Sequence, residues 1–181
     1  MCSSDLCQDI YQFGTVDRIS PEAPVPVFKF NSSRVIPGMA GNVQLNLEAL
    51  DCNVIYMHGE SVSTKTRLID KRSRQHLLRV DEDVSSEPLK FEDIPYNLKE
   101  VWDTGNLDAI VVSDYNKGFL SEEALQEIAE HAKISFLDSK KKLHPDTIMA
   151  YNYVKLNELE WERNNTRDRQ LDRKSTRLNS S

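Results

Sequence analysis

The feature that most constrains the fold of this chain is an alternation of short apolar runs with an amphipathic segment between residues 109 and 156. The runs AIVVS, at residues 109–113, and ISFLD, at residues 134–138, have the length and apolar character of buried strands. The segment SEEALQEIAEHA between them has the periodicity of a helix. Strands that alternate with such a helix form βαβ units and a parallel sheet. The sequence therefore predicts an α/β fold.

The helix of this unit is predicted from its start and from its apolar stripe. Ser121 is placed to cap the first turn, and Glu122 and Glu123 suit the positive end of the helix dipole. The apolar positions recur at helical spacing: Ala124, Leu125, Ile128, Ala129 and Ala132. Two further strands are predicted, IMAYNYVKL at residues 148–156 and NVIYM at residues 53–57, the latter after a helix at residues 42–50.

Two segments do not fit the alternation and predict a small sheet that stands off the main one. The run PVPVFKF, at residues 24–30, contains prolines, which suits an edge or protruding strand. Residues 64–80 have the pattern of two strands around a polar turn at residues 70–73. The acidic residues 81–97 are interpreted as a solvated loop, because their carboxylates have no fixed spacing that would bring them together on a metal.

The stretch VIPGMAGNVQLNLEAL, at residues 35–50, places Gly38 and Gly41 in front of an amphipathic run in a chain with only 6 glycines. A glycine pair at a helix start lets the backbone approach a ligand closely, and the unpaired N–H groups of the helix can then bind it. The same pair also suits a tight strand-to-helix turn with no ligand. The spacing alone favours neither interpretation.

Composition and charge exclude several classes of protein. The 181 residues suffice for one ordinary domain, and 23 Lys and Arg against 29 Asp and Glu give a net charge of -6. An acidic chain does not suit a nonspecific nucleic-acid binder, and no apolar run approaches the roughly 20 residues of a membrane span. Cys2, Cys7 and Cys52 neither pair evenly nor have the spacing of a zinc site. We therefore expect reduced thiols, a cytoplasmic location and no nucleic-acid or membrane partner.

The two ends of the chain have a different predicted origin. Translated back to DNA, MCSSDL at residues 1–6 and DRKSTRLNSS at residues 172–181 match a common sequencing-library adaptor in inward-facing orientations. We therefore expect natural sequence only within residues 7–171, from a parent protein that continues in both directions. Both adaptor-like ends are expected to pack against nothing.

Five segments, in order along the chain, resemble the ribokinase-like (PfkB) sugar kinases, and in particular the branch that phosphorylates heptose 7-phosphate. They are DIYQFGTVDRISPEAPVPVF (9–28), PGMAGNVQLNLEAL (37–50), TKTRLIDKRSRQHLLRVDED (64–83), SDYNKG (113–118) and KLNELE (155–160). The run RISPEAPVPV is the most specific of these. The resemblance implies a ribokinase-like parallel-sheet sandwich, truncated here, with a small protruding β lid formed by residues 24–30 and 64–80. It also implies ATP and Mg²⁺ as cofactors.

The same resemblance implies a sugar-binding site near the start of the chain. Asp9 corresponds to a family aspartate that accepts hydrogen bonds from sugar hydroxyls, whereas by itself it is only an acid near a chain start. Gly38 and Asn42 correspond to the family's Gly-Gly and Asn turn, which contacts the sugar, and Gly41 eases the helix start. Met39 departs from the family pattern, because it occupies the position of the second glycine.

Further along the chain, the resemblance implies contacts with substrate and metal. Asp114 and Lys117 are candidates for contacting the sugar or its phosphate, although Asn116 replaces the family's middle glycine and helix capping is an equal alternative for Asp114. Asn157 and Glu160 match the family's Asn-x-x-Glu, which organises Mg²⁺ and its waters. Taken alone, the same two residues predict a helix N-cap with an acid in the first turn.

The family's general base and anion hole come from a GAGD-type turn downstream of Asn-x-x-Glu, and this sequence has no such turn. We therefore expect no catalytic residue in the chain and no activity from it alone. The prediction is a fragment of an ATP-dependent kinase that phosphorylates heptose 7-phosphate at the anomeric hydroxyl, for lipopolysaccharide inner-core precursors. The alternative is a noncatalytic sugar-phosphate-binding or dimerisation module. The predicted partners are a small-molecule sugar phosphate, ATP in the parent, and a second copy bound through the β lid.

Overall fold

The computed structural model describes residues 2–94, 96–104 and 107–164. One sheet contains the strands of these residues: β1 (Cys2–Ile19), β2 (Pro26–Met39), β3 (Tyr56–Asp70), β4 (His76–Glu82), β5 (Leu107–Asp114), β6 (Ala132–Ser139) and β7 (Tyr153–Lys155). The helices are α1 (Ala40–Glu48), α2 (Tyr96–Thr104), α3 (Glu122–Ala129), α4 (Pro145–Ala150) and α5 (Glu158–Asn164). A short 3-10 helix, Phe91–Asp93, precedes α2.

The sheet has two parts that are joined through β1 and β3. Strands β3, β1, β5, β6 and β7 are neighbours in that order, and each pair is parallel. Beyond the residues that pair with β5, β1 also pairs antiparallel with β2, while β3 pairs antiparallel with β4. The term arm is used below for β2, β4, residues 6–19 of β1 and residues 64–70 of β3. The term parallel half is used for β5, β6, β7, α3 and α4.

The predicted α/β fold with a parallel sheet is confirmed. Strands β5 and β6 contain the two predicted apolar runs and pair in parallel along their length. Helix α3 lies between them in the chain, and the Ser121 hydroxyl accepts a hydrogen bond from the Ala124 N–H at 3.1 Å, as the capping pattern predicts. Ala132, predicted on the helical stripe, instead begins β6. The core consists of apolar side chains at Met57, Ile94, Trp102, Leu107, Ile110, Val112, Phe119, Leu120, Leu125, Ile128, Ala129, Leu137, Leu143 and Tyr151.

The predicted lid strands are present, but they belong to the main sheet and not to a separate one. Strand β3 runs unbroken from Tyr56 to Asp70, so the predicted strand NVIYM and the first lid strand are one element. Its pairing with β1 continues to the tip of the arm with a single irregularity, which keeps the two segments in line. Strand β2 continues to Met39 through the stretch predicted as a turn.

Two other expectations about elements are corrected. The predicted strand at residues 148–156 is wrong for its first three residues, which belong to α4, and the observed strand β7 begins only at Tyr153. Pro145 stands at the start of this helix, and a ring nitrogen of His144 accepts from the Asp146 N–H at 3.4 Å, so local signals favour a helix start. Helix α2 is not predicted by the sequence patterns, although its Trp102 ring packs against Phe91 and stacks on His131.

The described part of residues 1–6 differs from expectation. Residues 2–6 belong to β1, Leu6 pairs with Met39 and with Val62, and Asp5 is 1% exposed. The expectation that this segment packs against nothing is therefore wrong, whereas its adaptor origin stays a prediction. Residues 172–181 lie outside the described residues. Among the helices in the described ranges, none is long and apolar enough to cross a membrane.

Candidate functional site

The topology identifies one crevice of the sheet as a candidate site. Strand β1 pairs with β3 on one side and with β5 on the other, so the order of the strands along the chain reverses between β1 and β5. Open α/β sheets bind ligands outside the carboxyl ends of their strands at such a reversal. The side chains near this crevice come from β1, from the end of β5 and from the loop after β5.

Asp9 of β1 and Gly38 of β2 lie against each other. A Cβ atom placed on Gly38 would stand 2.5 Å from Oδ2 of Asp9, so no side chain fits at position 38 beside this carboxylate. The structure thus brings together two residues that the sequence assigns to the sugar site. Glycine is required at position 38 because the backbone there lies close to the Asp9 carboxylate of the same chain.

Met39 and α1 complete this end of the site. Met39 has a φ of 48°, a left-handed conformation that favours glycine, and it occupies the position at which the resemblance implies glycine. Helix α1 follows without a side-chain cap, so its first N–H groups have no partner from such a cap. Asn42 lies in this first turn with an exposed side chain, and a Cβ on Gly41 would stand 2.8 Å from Cβ of Pro37.

The Asp9 carboxylate is paired with Arg67 of β3. Nη1 of Arg67 donates to Oδ1 of Asp9 at 2.5 Å, and the two side chains are only 18% and 19% exposed. This hydrogen bond raises the pKa of Arg67, whose guanidinium also lies over the Tyr11 ring, 5.2 Å from its centroid. The pair holds the carboxylate in a fixed orientation and leaves Oδ2 beside Gly38.

Asp114 ends β5 as a buried carboxylate with three partners inside the protein. It accepts from the Ser139 hydroxyl at 2.6 Å and from the Asn116 N–H at 2.9 Å, and Nζ of Lys141 lies 3.3 Å away. Its partners are a hydroxyl, a loop amide and an ammonium group, not a helix terminus. Because the side chain is 0% exposed, the geometry favours positioning of the loop after β5 over direct contact with a substrate.

Asp5 is a second buried carboxylate at this edge, and sequence reasoning missed it. Its oxygens accept from the backbone N–H groups of Lys117, at 3.0 Å, and Phe119, at 3.4 Å, so it fixes the loop that carries Lys117. Burial raises the pKa of Asp5, and the neighbouring charge of Asp114 raises it further. An acid in the first strand is a usable signal, but the adaptor-like pattern of residues 1–6 leads away from it.

Lys117 lies beside the arm, where its Nζ pairs with Asp83 at 2.7 Å and lowers the pKa of that carboxyl group. The loop around it contains two left-handed residues, Asn116 at φ 60° and Gly118 at φ 106°. Asparagine tolerates this conformation better than most residues, so it can replace a glycine here at small cost. A Cβ on Gly118 would stand 2.7 Å from the carbonyl oxygen of Ser86, which excludes other residues at that position.

A cavity of about 220 Å³ opens at the carboxyl ends of β5, β6 and β7. Its lining combines carboxylates, two lysines, a phenol and an amide: Asp114, Tyr115, Asp138, Lys140, Lys155, Asn157 and Glu160. Lys155 donates to Asp138 at 2.8 Å, which raises the pKa of Lys155, and Nζ of Lys140 lies 4.4 Å from the centroid of the Tyr115 ring. The lining thus has three carboxylates against two ammonium groups, so it suits a phosphate ligand only together with a cation. Sequence reasoning missed four of the seven lining residues: Tyr115, Asp138, Lys140 and Lys155. Only the pairing of β5, β6 and β7 brings these four together.

Asn157 and Glu160 form a reciprocal cap at the start of α5. The Glu160 N–H donates to Oδ1 of Asn157 at 2.9 Å, and the Asn157 N–H donates to Oε2 of Glu160 at 2.8 Å. The helix cap that the sequence predicts for these two residues is therefore present. Within the described ranges, no group of three or more His, Cys, Asp or Glu could hold a metal ion. The carboxylates of the cavity suit a cation that keeps most of its waters, as Mg²⁺ does.

Cys7 belongs to the Asp9 end, since it stands two residues before Asp9 on β1 and pairs in register with Gly38. Its thiol is 3% exposed, the charges of Lys65, Asp9 and Arg67 act on it, and it in turn acts on the Tyr115 phenol. Burial raises the pKa of Cys7, so the thiol is protonated at neutral pH and serves as a packing group.

Proteins with related sequences include the bifunctional protein HldE of Photorhabdus laumondii, which is 30% identical over 76% of this chain. The bifunctional protein HldE of Haemophilus influenzae is 28% identical over 76% of this chain. The chain is homologous to HldE. It spans 34% of the length of each of these HldE relatives, about a third. No family model matches the chain.

Solved structures with a similar fold include phosphofructokinase-2 from Escherichia coli in complex with potassium, with a TM-score of 0.51 and 11% identity over 93% of this chain and 63% of that chain. The tetrameric inhibited form of the same enzyme gives a TM-score of 0.51 with 12% identity over 92% of this chain and 64% of that chain. The fold is thus ribokinase-like, which confirms the fold implied by the sequence resemblance and agrees with homology to HldE.

Proposed function

We propose that this chain is the sugar-binding part of an ATP-dependent carbohydrate kinase that phosphorylates a sugar phosphate. The substrate is proposed to be heptose 7-phosphate, phosphorylated at its anomeric hydroxyl for lipopolysaccharide inner-core precursors. The observation that supports this best is the placement of Asp9 against Gly38 at the start of α1, beside the strand reversal, in a chain homologous to HldE.

The sugar end of the proposed site offers complementary groups to hydroxyls. Asp9 is an acceptor held by Arg67, the first turn of α1 has no side-chain cap, and Asn42 carries both a donor and an acceptor on an exposed side chain. Lys117 approaches from the loop after β5, and in this proposal Asp114 positions that loop.

The cavity at the ends of β5, β6 and β7 is the proposed place for the nucleotide phosphates. Lys140 and Lys155 would face the phosphates, while Asn157 and Glu160 would hold Mg²⁺ through water. ATP with Mg²⁺ would supply the phosphoryl group and neutralise its charge. The protein's part at this end is to orient the phosphates with fixed side chains at the carboxyl edge of the sheet.

Titration of heptose 7-phosphate into the chain tests the sugar site. Asn42→Ala should weaken binding by about 5- to 150-fold, the equivalent of roughly 1–3 kcal/mol, because a sugar hydroxyl buried on binding would lose its partner. Asn53→Ala, at an exposed loop position, is the matched control and should bind as the parent does. Unchanged affinity in Asn42→Ala, with the fold intact, would return the glycine pair to the interpretation of a simple turn.

Catalysis by the chain alone is not expected, because the sequence has no GAGD-type turn to supply a base and an anion hole. A phosphoryl-transfer assay with the purified 181-residue chain should show no turnover of heptose 7-phosphate. Activity that persists after removal of contaminating kinases would contradict this part of the proposal. The natural boundaries, residues 7–171, are proposed as well, and sequencing of the source DNA beyond both ends tests them.

A second candidate, a noncatalytic binding or dimerisation module, is supported by one face of the arm. On this face Leu78 and Val80 of β4 are 55% and 43% exposed, and Val35 of β2 is 53% exposed. Val35 and Val80 stand at opposite edges of the arm, in register through Ile10 and Thr66, so the exposed apolar groups extend across the face. We propose a homodimer through this face. Light scattering should then show a dimer that Val80→Glu dissociates, whereas Val84→Glu, at a similarly exposed loop residue, leaves it intact. A monomeric parent chain would remove this candidate.

A further inference from the structure

A closed cycle of polar contacts joins the carboxyl ends of β5 and β6. The Ser139 hydroxyl donates to Oδ2 of Asp114 at 2.6 Å, and its oxygen accepts from the Lys141 N–H at 3.1 Å. Nζ of Lys141 closes the cycle, because it lies 3.3 Å from the same Oδ2 atom. The side chains of Asp114 and Ser139 are completely buried, so these contacts form away from water. The three residues are termed here the buried cluster.

The buried cluster also holds the loops that follow these two strands. Nζ of Lys141 donates to the Leu120 carbonyl oxygen, at the end of the loop after β5. Oδ1 of Asp114 accepts from the Asn116 N–H in the same loop at 2.9 Å, and its carbonyl oxygen accepts from the Lys140 N–H in the loop after β6 at 3.0 Å. Because a buried polar group that loses its partner is costly, the cluster fixes each loop against the other.

The direction of the Lys141 side chain is not that of an ordinary surface lysine. Lys140, Lys141 and Lys142 are consecutive in the sequence, and lysines are seldom buried. The Lys141 side chain is nevertheless only 18% exposed, and its ammonium group is directed at Asp114 and the Leu120 carbonyl. An ammonium group is costly to bury unless it is paired, so this placement depends on the cluster.

The residues next to the buried cluster line the cavity at the ends of β5, β6 and β7. Tyr115 follows Asp114 in the chain, and Lys140 precedes Lys141. Nζ of Lys140 lies 4.4 Å from the centroid of the Tyr115 ring, so this contact joins the loop after β5 to the loop after β6. The spacing of the two loops, which the cluster sets, therefore decides whether the contact forms.

The buried cluster also changes the charge that the cavity presents to a ligand. Asp114 belongs to the lining, where its carboxylate repels an anionic ligand. Lys141 does not belong to the lining, yet its ammonium group lies 3.3 Å from that carboxylate and offsets its charge from behind. A phosphate ligand that enters with its cation therefore meets one uncompensated carboxylate fewer.

We propose that Lys141 is a positioning residue for a phosphate ligand of this cavity. It acts from behind the lining, through Asp114 and the Leu120 carbonyl. It holds Tyr115 and Lys140 in place, and it offsets the charge of Asp114. The identity of the ligand rests on the proposed function, whereas the positioning of Tyr115 and Lys140 rests on the buried cluster itself.

Proton NMR of the ligand-free chain of 181 residues tests the positioning without any ligand. The face of an aromatic ring shifts nearby protons upfield, so Tyr115 should shift the ε-methylene protons of Lys140. Lys141→Gln should abolish most of this shift, because the charge that holds both loops is lost. Lys141→Arg should retain it, since a guanidinium group keeps the charge and several donors. A full shift in folded Lys141→Gln would overturn the proposal.

Calorimetric titration with Mg²⁺ and inorganic triphosphate, a probe with phosphates and no nucleoside, tests the consequence for binding. Lys141→Gln should weaken binding at least about tenfold, the equivalent of about 1.4 kcal/mol, whereas Lys141→Arg should bind nearly as the parent does. Ser139→Ala opens the cycle but leaves the ion pair intact, so it should weaken binding by less. If Lys141→Gln does not fold, Ser139→Ala decides, and an unchanged shift and affinity in it would overturn the proposal.

Two controls separate positioning from net charge and from stability. Lys142→Gln makes the same change of charge at the next residue, which is exposed, and should behave as the parent does. Leu125→Ala removes a buried side chain of α3 and lowers stability, but the folded protein should keep the Lys140 shift and the affinity. An equal loss of affinity in either control would overturn the proposal, because net charge or stability would then explain it.

The outcomes also separate this proposal from the proposed function. If the Lys140 shift depends on Lys141 but the parent chain does not bind triphosphate with Mg²⁺, the positioning is supported and the proposed nucleotide cavity fails. If the parent binds this probe and folded Lys141→Gln binds it equally well, the positioning proposal is overturned and the proposed cavity stands.

Discussion

The parallel half and the arm belong to one sheet, yet they are stabilised by different interactions. In the parallel half, Ile110, Val112 and Leu125 are completely buried, and α3 and α4 accompany the strands. In the arm, every residue of β4 is exposed, and both faces of the strands are accessible in part. Burial of apolar surface therefore stabilises the parallel half, whereas backbone hydrogen bonds and ion pairs stabilise the arm.

This difference has a consequence for function. The groups that line the cavity stand at the ends of well-packed strands, so their positions are set by a rigid core. Asp9 stands on a strand of the arm, where packing is slight, and such regions open at lower free energy than a core does. The cavity proposed for the nucleotide phosphates is thus preorganised, whereas the sugar end of the site is expected to adjust on binding.

The largest predicted effect breaks a buried ion pair of the parallel half. Lys141→Met would leave the buried carboxylates of Asp114 and Asp5 without their neighbouring ammonium group. We expect a loss of about 3–5 kcal/mol in the free energy of unfolding, the usual cost of removing one partner of a buried pair. Lys29→Met, which removes the exposed partner of Asp17 in the arm, should cost about 0–1 kcal/mol. Urea unfolding measures both, and equal effects would contradict the comparison.

The second prediction tests apolar packing in the same way. Leu125→Ala in α3 removes a side chain that is fully buried and should cost about 2–5 kcal/mol. Leu78→Ala in β4 removes the same atoms from an exposed position and should change stability by no more than about 0.5 kcal/mol. Thermal unfolding gives both values. A large cost at Leu78 would show that its face is covered in solution, which would favour the dimer.

The third prediction concerns the cap of α3. Ser121→Ala removes the acceptor for the Ala124 N–H and should cost about 1 kcal/mol. Ser33→Ala, at an exposed position in β2, is the control in the arm and should have no measurable effect on the unfolding midpoint. If the two variants unfold alike, the cap contributes nothing and α3 is held by its packing alone.

The same two regions differ in how far the sequence predicts them. The parallel half follows from local patterns, since the apolar runs, the stripe of α3 and the Ser121 cap each lie within a few neighbouring residues. The site depends instead on residues far apart in the chain. Asp5 accepts from Lys117, 112 residues away, and Asp9 pairs with Arg67, 58 residues away. Strand register alone brings these groups together, and the sequence patterns do not fix register between distant strands.

The errors have the same physical origin. The continuity of β3 through the predicted gap depends on its pairing with β1, which a local pattern does not contain. Residues 148–150 of α4 are predicted as strand because they begin the run IMAYNYVKL, although Pro145 and Asp146 are ordinary signals for a helix start. The family resemblance supplied Asp9 and Gly38, but it did not supply the contact between them.

The smallest predicted effect is a pH dependence at the tip of the arm. Asp17 accepts from Arg72 at 2.6 Å and from Lys29 at 3.5 Å, and these bonds hold the pKa of Asp17 below its usual range. The folded arm therefore favours the ionised form. The stability that ionised Asp17 adds to the folded arm is complete above the ordinary aspartate pKa of about 3.9. It is lost as the pH falls through the lower pKa that Asp17 has in the folded state.

Amide hydrogen exchange at the tip, followed across this acidic range, measures the effect. Exchange at the tip should accelerate towards low pH relative to the intrinsic rate, and Asp17→Asn should remove part of that dependence. Asp108→Asn, which removes an exposed carboxylate paired with Lys133 in the parallel half, should leave the tip unchanged. The effect should also weaken at high salt, because exposed ion pairs are screened. If Asp17→Asn exchanges with the same acid dependence as the parent chain, the ion pairs contribute nothing, and backbone hydrogen bonds alone hold the tip of the arm.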